Sequence, residues 1–446
     1  MPRWNGRILT ALVVTVSVAG WSAADDPAPS PRPGEAPHAA AGMDLSGEKA
    51  NPLESPPGLT PAVKLRGRIE VDAVMVVQSE ASKALLGDLQ NGNGFRRARL
   101  GAQGTVGSSA LWVAEIDFAG GDVQLRDMFV GLTALPGVRQ VRVGHFREPF
   151  SLEGATSSNF ITFLERSPLN QLDPTRNWGV AGYWWPDGER LTFALGAFRD
   201  DTTSAGLSVG DDDAWAVTTR LTWLPVYEDR GTAYQLVHVG AAFSQRRPAG
   251  GVVQYNLDPQ SNLLMVPDNP PSPFLPGVDV PASGQQLYNL QAAGIRGPLS
   301  IQGEWFGSAI QQKGAGVVFL HGFYAYASYF LTGEHRGYDR QRGAFDRVAV
   351  RRPLVRSEGA PASGFGAVEL AARFAVADYA SGNLPVPSAP ARAIPGAVVY
   401  EATFGVNWYL NDHTRVMANY TLAVPDVGGY PALPVHVFGL RTAIYW

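Results

Sequence analysis

The last stretch of the chain, residues 438–446, alternates between apolar or weakly polar side chains at even positions and mixed side chains at odd positions, and it ends on Trp446. Successive side chains of a β-strand point to opposite faces, so one face of this strand is apolar and the other carries Arg441. Strands of transmembrane barrels have this pattern, because one face contacts lipid and the other faces a polar lumen. The terminal strand therefore predicts an outer-membrane β-barrel with Arg441 directed inward.

The N-terminus has the features of an exported chain. Arg3 and Arg7 precede an apolar run at residues 8–21, and small residues follow it, so residues 1–24 are expected to be a signal peptide. Residues 25–63 are rich in proline and predict a flexible linker. The apolar run is shorter than the roughly 20 residues of a spanning helix, so the membrane domain is expected to be a barrel formed by residues 64–446.

Period-2 alternation continues through that domain and predicts an all-β, antiparallel barrel of about 16 strands, an even number as in single-chain bacterial barrels. Long connections at residues 147–176, 247–283 and 378–396 are expected on the external side, with short turns on the periplasmic side. The candidate strands lie near 65–79, 94–106, 110–118, 123–133, 138–146, 177–185, 190–199, 213–224, 233–246, 284–296, 299–311, 317–333, 364–377, 397–410, 413–424 and 434–446.

Composition removes several classes of function. The 446 residues include no cysteine, which excludes a disulfide framework and a thiolate metal site, and the net charge of −4 argues against nucleic-acid binding. Seven histidines are scattered without ligand spacing, so neither a metal nor a cofactor is expected. The string Gly206 to Gly210 matches a G-x-S-x-G nucleophile elbow but lies in an acidic loop, and no enzyme is predicted.

A series of short motifs resembles one family, the phosphate-selective porins of the O and P type. The resemblance implies a trimeric outer-membrane barrel, narrowed by inward-folded segments whose basic side chains bind and pass phosphate or polyphosphate. The motifs occur in the family's order and are FRRARLG (95–101), EIDFA (115–119), VGHFREPFSLE (143–153), TSSN (156–159), FLER (163–166), RNWG (176–179), SYFLTGEHR (328–336) and ELAAR (369–373).

Arginine is the residue type that could carry an anion through such a pore, because a guanidinium offers paired hydrogen bonds to phosphate oxygens. Arg97 and Arg99 are the favoured anion-binding pair, since no carboxylate lies on their strand. The arginines whose strand parity places them in the lumen are Arg66, Arg68, Arg97, Arg99, Arg142, Arg220, Arg373, Arg415 and Arg441.

A structural reading of these arginines stays open. Arg66 and Arg68 lie beside Glu70 and Asp72 and could simply pair with them. Arg96 has the opposite parity, as does Arg126, and both are expected at the membrane interface.

The segment Arg147 to Arg176 is the predicted constriction, because its apolar side chains need something to pack against. Arg147, Arg166 and Arg176 are its candidate anion-binding residues. Three carboxylates accompany them, either as partners that fix Arg147 and Arg166 or in direct contact with substrate: Glu148, Glu153 and Glu165. The expected apolar anchors are Phe150, Leu152, Phe160, Phe163 and Leu164.

Residues 334–363 form a connection that alternation places on the periplasmic side, where turns are normally short. This connection is basic, and its candidate anion-binding residues are Arg347, Arg351 and Arg352. It is expected to fold into the barrel with Phe345 and Leu354 as packing anchors. The alternative is a solvated basic turn that docks a periplasmic partner.

The expected function is passive uptake of small anions, with phosphate or polyphosphate as substrate, by a homotrimer in outer-membrane lipid. The chain has only four lysines, Lys49, Lys64, Lys83 and Lys313. The phosphate-selective members of the family use lysine clusters as well as arginines. Phosphate specificity is therefore expected from the resemblance alone. Two alternatives remain at this stage: a general or structural porin without phosphate specificity, and a secreted soluble β-sandwich binding protein.

Overall fold

The computed structural model describes residues 62–446 except 122, 201–212, 231–232, 258–274, 357–360, 381–397 and 427–430. The predicted signal peptide lies outside the described residues, as does the linker apart from its last two residues. The G-x-S-x-G string also lies outside them. Within the described part of the chain, no helix is long and apolar enough to cross a membrane.

Strands make up most of the described chain. Their bounds are β1 Ala62–Gln78, β2 Gly92–Val106, β3 Ala110–Asp117, β4 Gln124–Leu135, β5 Val138–Arg147, β6 Arg176–Trp184, β7 Leu191–Phe198, β8 Trp215–Arg230, β9 Ala233–Arg247, β10 Val252–Leu257, β11 Leu275–Arg296, β12 Leu299–Gln312, β13 Val317–Phe330, β14 Gly337–Asp339, β15 Ala344–Asp346, β16 Ala367–Asp378, β17 Val398–Asn411, β18 Thr414–Asp426 and β19 Val435–Tyr445. The α-helices are α1 Glu80–Leu86 and α2 Leu152–Ala155, and single 3₁₀ turns occur at Pro168–Leu172 and Ala249–Gly251.

Sixteen of these strands pair with their neighbours in chain order and close into an antiparallel barrel through β1 and β19. The remaining three lie in connections: β10 pairs with the start of β11, and β14 pairs with β15 in a separate hairpin. Gly67 and Trp446 exchange two backbone hydrogen bonds of 3.1 Å at the end of the β1–β19 pair, where the barrel closes. The predicted sixteen-strand barrel is confirmed, and a β-sandwich is excluded because β1 and β19 leave no open edge.

The two faces of each strand differ as the alternation predicts. On β13 the side chains of Phe319, Phe323 and Tyr329 are 40%, 44% and 47% exposed on the outside, whereas Leu320 and Tyr324 inside are 0% and 1% exposed. The outer face is a continuous apolar surface suited to lipid, and the inner face is polar or packed against inserted segments.

Two β-bulges reverse the predicted direction of two arginines. On β2, Glu70 pairs with Arg97 and the next pair joins Val71 to Phe95, so Arg96 is an extra residue. Its guanidinium turns inward and contacts Glu165. A bulged residue loses the alternation that sequence parity assumes, so the interface position expected for Arg96 is wrong.

The second bulge lies on β4. Ala114 pairs with Met128 and Ile116 pairs with Leu125, which leaves two residues of β4 opposite a single residue of β3. Arg126 is one of those two, and it pairs with Asp117 of the lumen face at 3.2 Å. The interface position expected for Arg126 is therefore wrong for the same reason.

The lipid-facing position of a side chain predicts how much a charge there lowers the free energy of unfolding. Phe404 lies in the middle of β17 and is 57% exposed on the lipid side. Phe404→Arg is expected to lower the free energy of unfolding by about 2–4 kcal/mol, because the charge must enter hydrocarbon. Reversible urea unfolding in phospholipid vesicles measures the loss.

The matched control is Gln90→Arg, at an exposed position in the external connection after β1. Its unfolding free energy is expected to change by less than about 0.5 kcal/mol. Equal stability of the two variants would show that Phe404 does not face lipid.

Candidate functional site

The long connection between β5 and β6, residues 148–175, folds into the lumen as predicted and is called the inward loop. Phe150, Leu152 and Phe163 are at most 2% exposed. Phe150 packs on Phe306 of β12 with ring centroids 6.4 Å apart, and Phe163 meets Tyr326 of β13 edge-on at 5.4 Å. Phe150 and Phe163 therefore pack against β12 and β13, whereas Leu152 packs in a second cluster with side chains of β8, β9 and β11.

A buried carboxylate of the wall orients the turn at the start of the inward loop. Glu304 of β12 accepts hydrogen bonds from the backbone N–H groups of Leu152 and Glu153 at 2.7 and 2.9 Å. The hydroxyl of Tyr324 donates to the same carboxylate at 2.5 Å. These are the free N–H groups of the short helix α2, and a carboxylate satisfies them well because it carries the complementary charge.

The carboxylates of the inward loop bind arginines of the wall rather than Arg147 and Arg166. Glu148 accepts two hydrogen bonds from Arg246 of β9, at 2.9 and 3.0 Å. Glu165 is bound by Arg96 and, at 2.8 Å, by Arg441 of β19.

Burial alone would raise the pKa of the Glu165 carboxyl, but Arg96 and Arg441 hold this pKa below its usual value. Glu153 lies 3.8 Å from Arg373 of β16. The expectation that these three carboxylates fix Arg147 and Arg166 is therefore wrong, because the wall arginines lie closer to them.

Arg97 and Arg99 both bind carboxylates of neighbouring strands, although no carboxylate lies on their own strand. Arg97 lies directly opposite Glu70 on β1 and binds it at 2.5 Å. Arg99 lies opposite Asp117 on β3 and binds it at 2.7 Å, with Glu115 at 3.1 Å. Residues facing each other across an antiparallel pair are close neighbours, so the absence of a carboxylate on one strand says little about pairing.

The same kind of pairing occupies the neighbouring wall arginines. Arg66 and Arg68 lie 2.9 and 3.7 Å from Glu115. Arg441 lies opposite Asp72 and binds it through two nitrogens at 2.6 and 2.7 Å. Arg66 and Arg68 are thus paired, as the structural reading predicts, but with Glu115 of β3 rather than with the expected Glu70 or Asp72.

Other wall arginines bind backbone carbonyl groups of inserted segments. Arg415 of β18 donates to the carbonyl of Ile161 at 2.9 Å, and Arg373 donates to the carbonyl of Glu165 at 3.0 Å. Arg220 of β8 donates to the carbonyl of Gly343 at 2.7 Å. Each of the three is at most 5% exposed, so they support the inserts and are closed to a passing anion.

The basic connection between β13 and β16, residues 331–366, is called the periplasmic insert, and its β14–β15 hairpin enters the lumen. The hydroxyl of Tyr338 lies 2.6 Å from Nδ1 of His238 on β9. Arg336 donates to Tyr326 at 2.7 Å and covers the ring of Phe345 at 3.5 Å. The backbone N–H of Phe345 donates to the hydroxyl of Thr156 at 3.2 Å, which joins the insert to the inward loop.

The two expected packing anchors of the insert differ. Phe345 is 2% exposed inside the barrel, whereas Leu354 is 37% exposed at the periplasmic rim. The part of the insert around Phe345 therefore lies in the lumen, and the part around Leu354 stays outside it.

The basic side chains of the insert divide in the same way. Arg347 lies between the rings of Phe160 and Tyr445, at 5.9 and 5.7 Å, on the lumen side. Arg351 and Arg352 are exposed at the rim, away from the hairpin. The structure thus separates three residues that the sequence grouped together.

Exposure distinguishes a group of half-buried arginines from the buried remainder of the inner wall. Inward side chains on β12, β13 and β16, such as Gln302, Tyr324 and Arg373, are at most 3% exposed beneath the inserts. On the β1–β6 side most inward side chains, such as Glu70 and Glu115, are also buried, but several arginines of these strands or of the inward loop are half-buried. We call this region the arginine passage, and its arginines are Arg66, Arg126, Arg142, Arg147, Arg166 and Arg176.

Two arginines of the passage have no carboxylate within ion-pair distance among the described residues. Arg142 of β5 lies between the rings of Phe129 and Tyr183, at 5.1 and 4.4 Å, and donates to Gln140 at 2.6 Å. In the described part of the chain, Arg166 donates to the backbone carbonyls of Glu153 and Thr156, at 2.9 and 2.8 Å. Both retain guanidinium N–H groups for another acceptor.

The remaining passage arginines are balanced by carboxylates. Arg147 binds Asp173 at 2.7 Å, and Arg176 binds Asp127 at 3.0 Å. Sequence reasoning missed both of these acids, because Asp173 lies in the inward loop and Asp127 lies in the β4 bulge. It also missed Arg246, which the parity of β9 could have identified as an inward residue.

Comparison with known proteins identifies the family. Residues 63–424 match the family model of the phosphate-selective porins O and P. The chain belongs to this family. It is an outer-membrane porin, in agreement with the closed barrel and the outward apolar surface.

Individual relatives are distant. An uncharacterised protein of Caulobacter vibrioides is 27% identical over 396 residues, which cover 85% of this chain and 73% of that protein. Porin O of Pseudomonas aeruginosa is 24% identical over 302 residues, 64% of this chain and 65% of that protein. Among solved structures, in-vitro folded OmpT, an outer membrane protein of Vibrio cholerae, matches 89% of this chain and 100% of its own with a TM-score of 0.50 and 14% identity.

The position of the inward loop in this porin predicts its effect on conduction. Replacing residues 151–170 with a Gly-Ser connector removes the packed apolar side chains from the lumen. Single-channel conductance in planar bilayers is expected to rise at least twofold, because the open cross-section of the barrel increases.

The control is a Gly-Ser replacement of residues 313–316, the short external connection between β12 and β13. Its conductance is expected to equal that of the wild type. An unchanged conductance in a folded loop-deletion variant would place the inward loop outside the conduction path.

Proposed function

We propose that this porin is an anion-selective channel that takes up phosphate or polyphosphate by diffusion through the arginine passage. The observation that carries the proposal is the pair of half-buried arginines, Arg142 and Arg166, that lack carboxylate partners among the described residues. Family membership supports the substrate class. The homotrimer that the family resemblance implies is part of the same proposal.

The charge balance of the passage favours anions. Six arginines line it, and the carboxylates that bind them are Glu115, Asp117, Asp127 and Asp173. The excess positive charge lies in a narrow space between the wall and the inserts, where water is limited and Coulomb interactions are stronger than in bulk solvent. An anion entering this space is stabilised, and a cation is repelled.

The geometry of the unpaired arginines suits a tetrahedral oxyanion. Arg142 is oriented by two aromatic rings, so its planar group presents a fixed edge to the lumen. The stem of Arg166 is fixed by two backbone carbonyls. A rigid guanidinium loses little conformational entropy when it binds phosphate, and its paired N–H groups match two oxygens.

Arg342 of the hairpin tip adds positive charge at the periplasmic end of the passage. Its side chain is 47% exposed and lies 3.9 Å from Asp339.

A second candidate function is a general anion pore without phosphate specificity. It is favoured by the lysine content, because the chain has only four lysines. Of the three in the described residues, Lys64 and Lys313 are exposed and Lys83 lies on α1, so none is a half-buried side chain of the barrel wall. In this case the arginines would attract any small anion, and phosphate would gain no advantage over chloride.

The selectivity test uses planar-bilayer recording across a KCl gradient. The wild-type reversal potential is expected to follow chloride, and the double variant R142Q/R166Q is expected to move it toward zero. Millimolar phosphate is expected to reduce the wild-type chloride current. The concentration for half block is expected to rise about tenfold in the double variant, as for the loss of one or two charge-assisted hydrogen bonds.

The matched control is R139Q/R190Q, which removes two exposed arginines at periplasmic turns. It is expected to retain the wild-type potential and block. A potassium-directed reversal potential in the wild type would refute the anion channel, and chloride selectivity without phosphate block would support the general anion pore.

A further inference from the structure

Three exposed arginines lie close together on the outer part of the periplasmic insert: Arg351, Arg352 and Arg356. None of them has a carboxylate within ion-pair distance among the described residues, although Glu334 accepts a hydrogen bond from the backbone N–H of Arg351 at 3.2 Å. All three side chains are exposed, so an anion outside the barrel can reach them.

Backbone hydrogen bonds place this part of the insert on the end of the barrel wall. The N–H groups of Leu354 and Val355 donate to the carbonyl of Leu410 at 2.8 and 3.3 Å, where β17 ends. The N–H of Gly366 donates to the carbonyl of Arg352 at 2.8 Å, which binds the two limbs of the insert together. The arginines consequently lie at the rim of the lipid-facing wall.

Apolar side chains beside these arginines continue the lipid-facing surface. Phe365 is 62% exposed, Leu331 is 59% exposed and Val355 is 46% exposed. Phe365 stacks on Trp408 with ring centroids 4.9 Å apart. Trp408 shares the outward parity of Phe404, which is 57% exposed to lipid. We call this combination of three arginines and exposed apolar side chains the rim patch.

The rim patch has the composition of a membrane interface. Aromatic side chains favour the boundary between hydrocarbon and head groups, and basic side chains just beyond it attract anionic lipids. A free phosphate ion in the periplasm would gain nothing from Phe365, Leu331 and Val355, whereas a phospholipid contacts them with its acyl chains. The adjacent apolar surface thus distinguishes a lipid from a dissolved anion.

We propose that the rim patch binds the head group of an anionic phospholipid in the periplasmic leaflet of the outer membrane. Arg351, Arg352 and Arg356 contact the head-group phosphate, and Phe365, Leu331 and Val355 contact the start of the acyl chains. This inference rests on the outer-membrane location of the barrel and is independent of which anion the pore conducts.

The test is native mass spectrometry of the detergent-purified full-length porin titrated with phosphatidylglycerol or with phosphatidylcholine of the same acyl chains. The wild type is expected to bind phosphatidylglycerol on the order of tenfold more tightly. R351Q/R352Q/R356Q is expected to lose this preference. Equal binding of the two lipids by the wild type would overturn the proposal without any variant.

The matched control is R139Q/R190Q/R296Q, which removes the same charge from exposed positions at other periplasmic turns. It is expected to retain the preference for phosphatidylglycerol. An equal loss in both triple variants would overturn the proposal, because it would show a response to net charge alone. L331S/F365S is expected to weaken binding of both lipids, and wild-type binding by this variant would contradict the assigned acyl contacts.

Two further measurements separate the rim patch from other roles. Inorganic phosphate at about 10 mM, enough to saturate a site of millimolar Kd, is expected to leave phosphatidylglycerol bound. Displacement would indicate a dissolved-anion site. R351Q/R352Q/R356Q is expected to retain the wild-type reversal potential in phosphatidylcholine bilayers. A shifted potential together with unchanged lipid preference would assign these arginines to the pore exit instead.

Discussion

The rest of the lumen depends on the ion-pair cluster around Arg441. This side chain is fully buried and binds Asp72 of β1, Glu70 of β1 and Glu165 of the inward loop. Buried charges are tolerated only when their partners satisfy them, and loss of one partner leaves the others costly. The cluster joins the first strand, the last strand and the inward loop, so closing the barrel and placing the loop depend on the same contacts.

The arginines of the lumen fall into groups that bind different partners. Those on β1, β2 and β19 bind carboxylates, and Arg220, Arg373 and Arg415 bind backbone carbonyls of the inserts. Half-buried guanidinium groups of the described lumen lie on β1–β6, on the inward loop and, at Arg347, on the periplasmic insert. An arginine-rich lumen is therefore mainly a scaffold, and the groups free to meet an anion are a minority selected by the packing of the inserts.

The sequence predicts the barrel well and the site only in part. Each of the sixteen strands follows from period-2 alternation, because lipid on one side and water or packed polar groups on the other impose that pattern on every strand. Bulges interrupt the pattern without a sequence signal, which explains the errors at Arg96 and Arg126. Partners such as Glu70 for Arg97 depend on register, and a single strand does not contain that information. Connection length predicts that residues 334–363 fold into the barrel, but of the described residues only the part around Phe345 does so. The split between Arg347 and the exposed Arg351 and Arg352 follows from tertiary packing.

The inward loop and the periplasmic insert contact each other inside the barrel, and this contact affects how the pore selects between anions. Thr156 of the inward loop accepts a hydrogen bond from Phe345 of the periplasmic insert, and Arg347 of the insert lies against Phe160 of the loop. The loop comes from the external side and the insert from the periplasmic side, so their contact spans the lumen. A displacement of either one must disturb the other, because packed interfaces change between discrete arrangements rather than deforming smoothly. The width between the inserts and the β4–β6 wall is thus determined jointly from both ends of the barrel. That width sets how close an anion comes to Arg142, and closeness determines how strongly a guanidinium discriminates between anions.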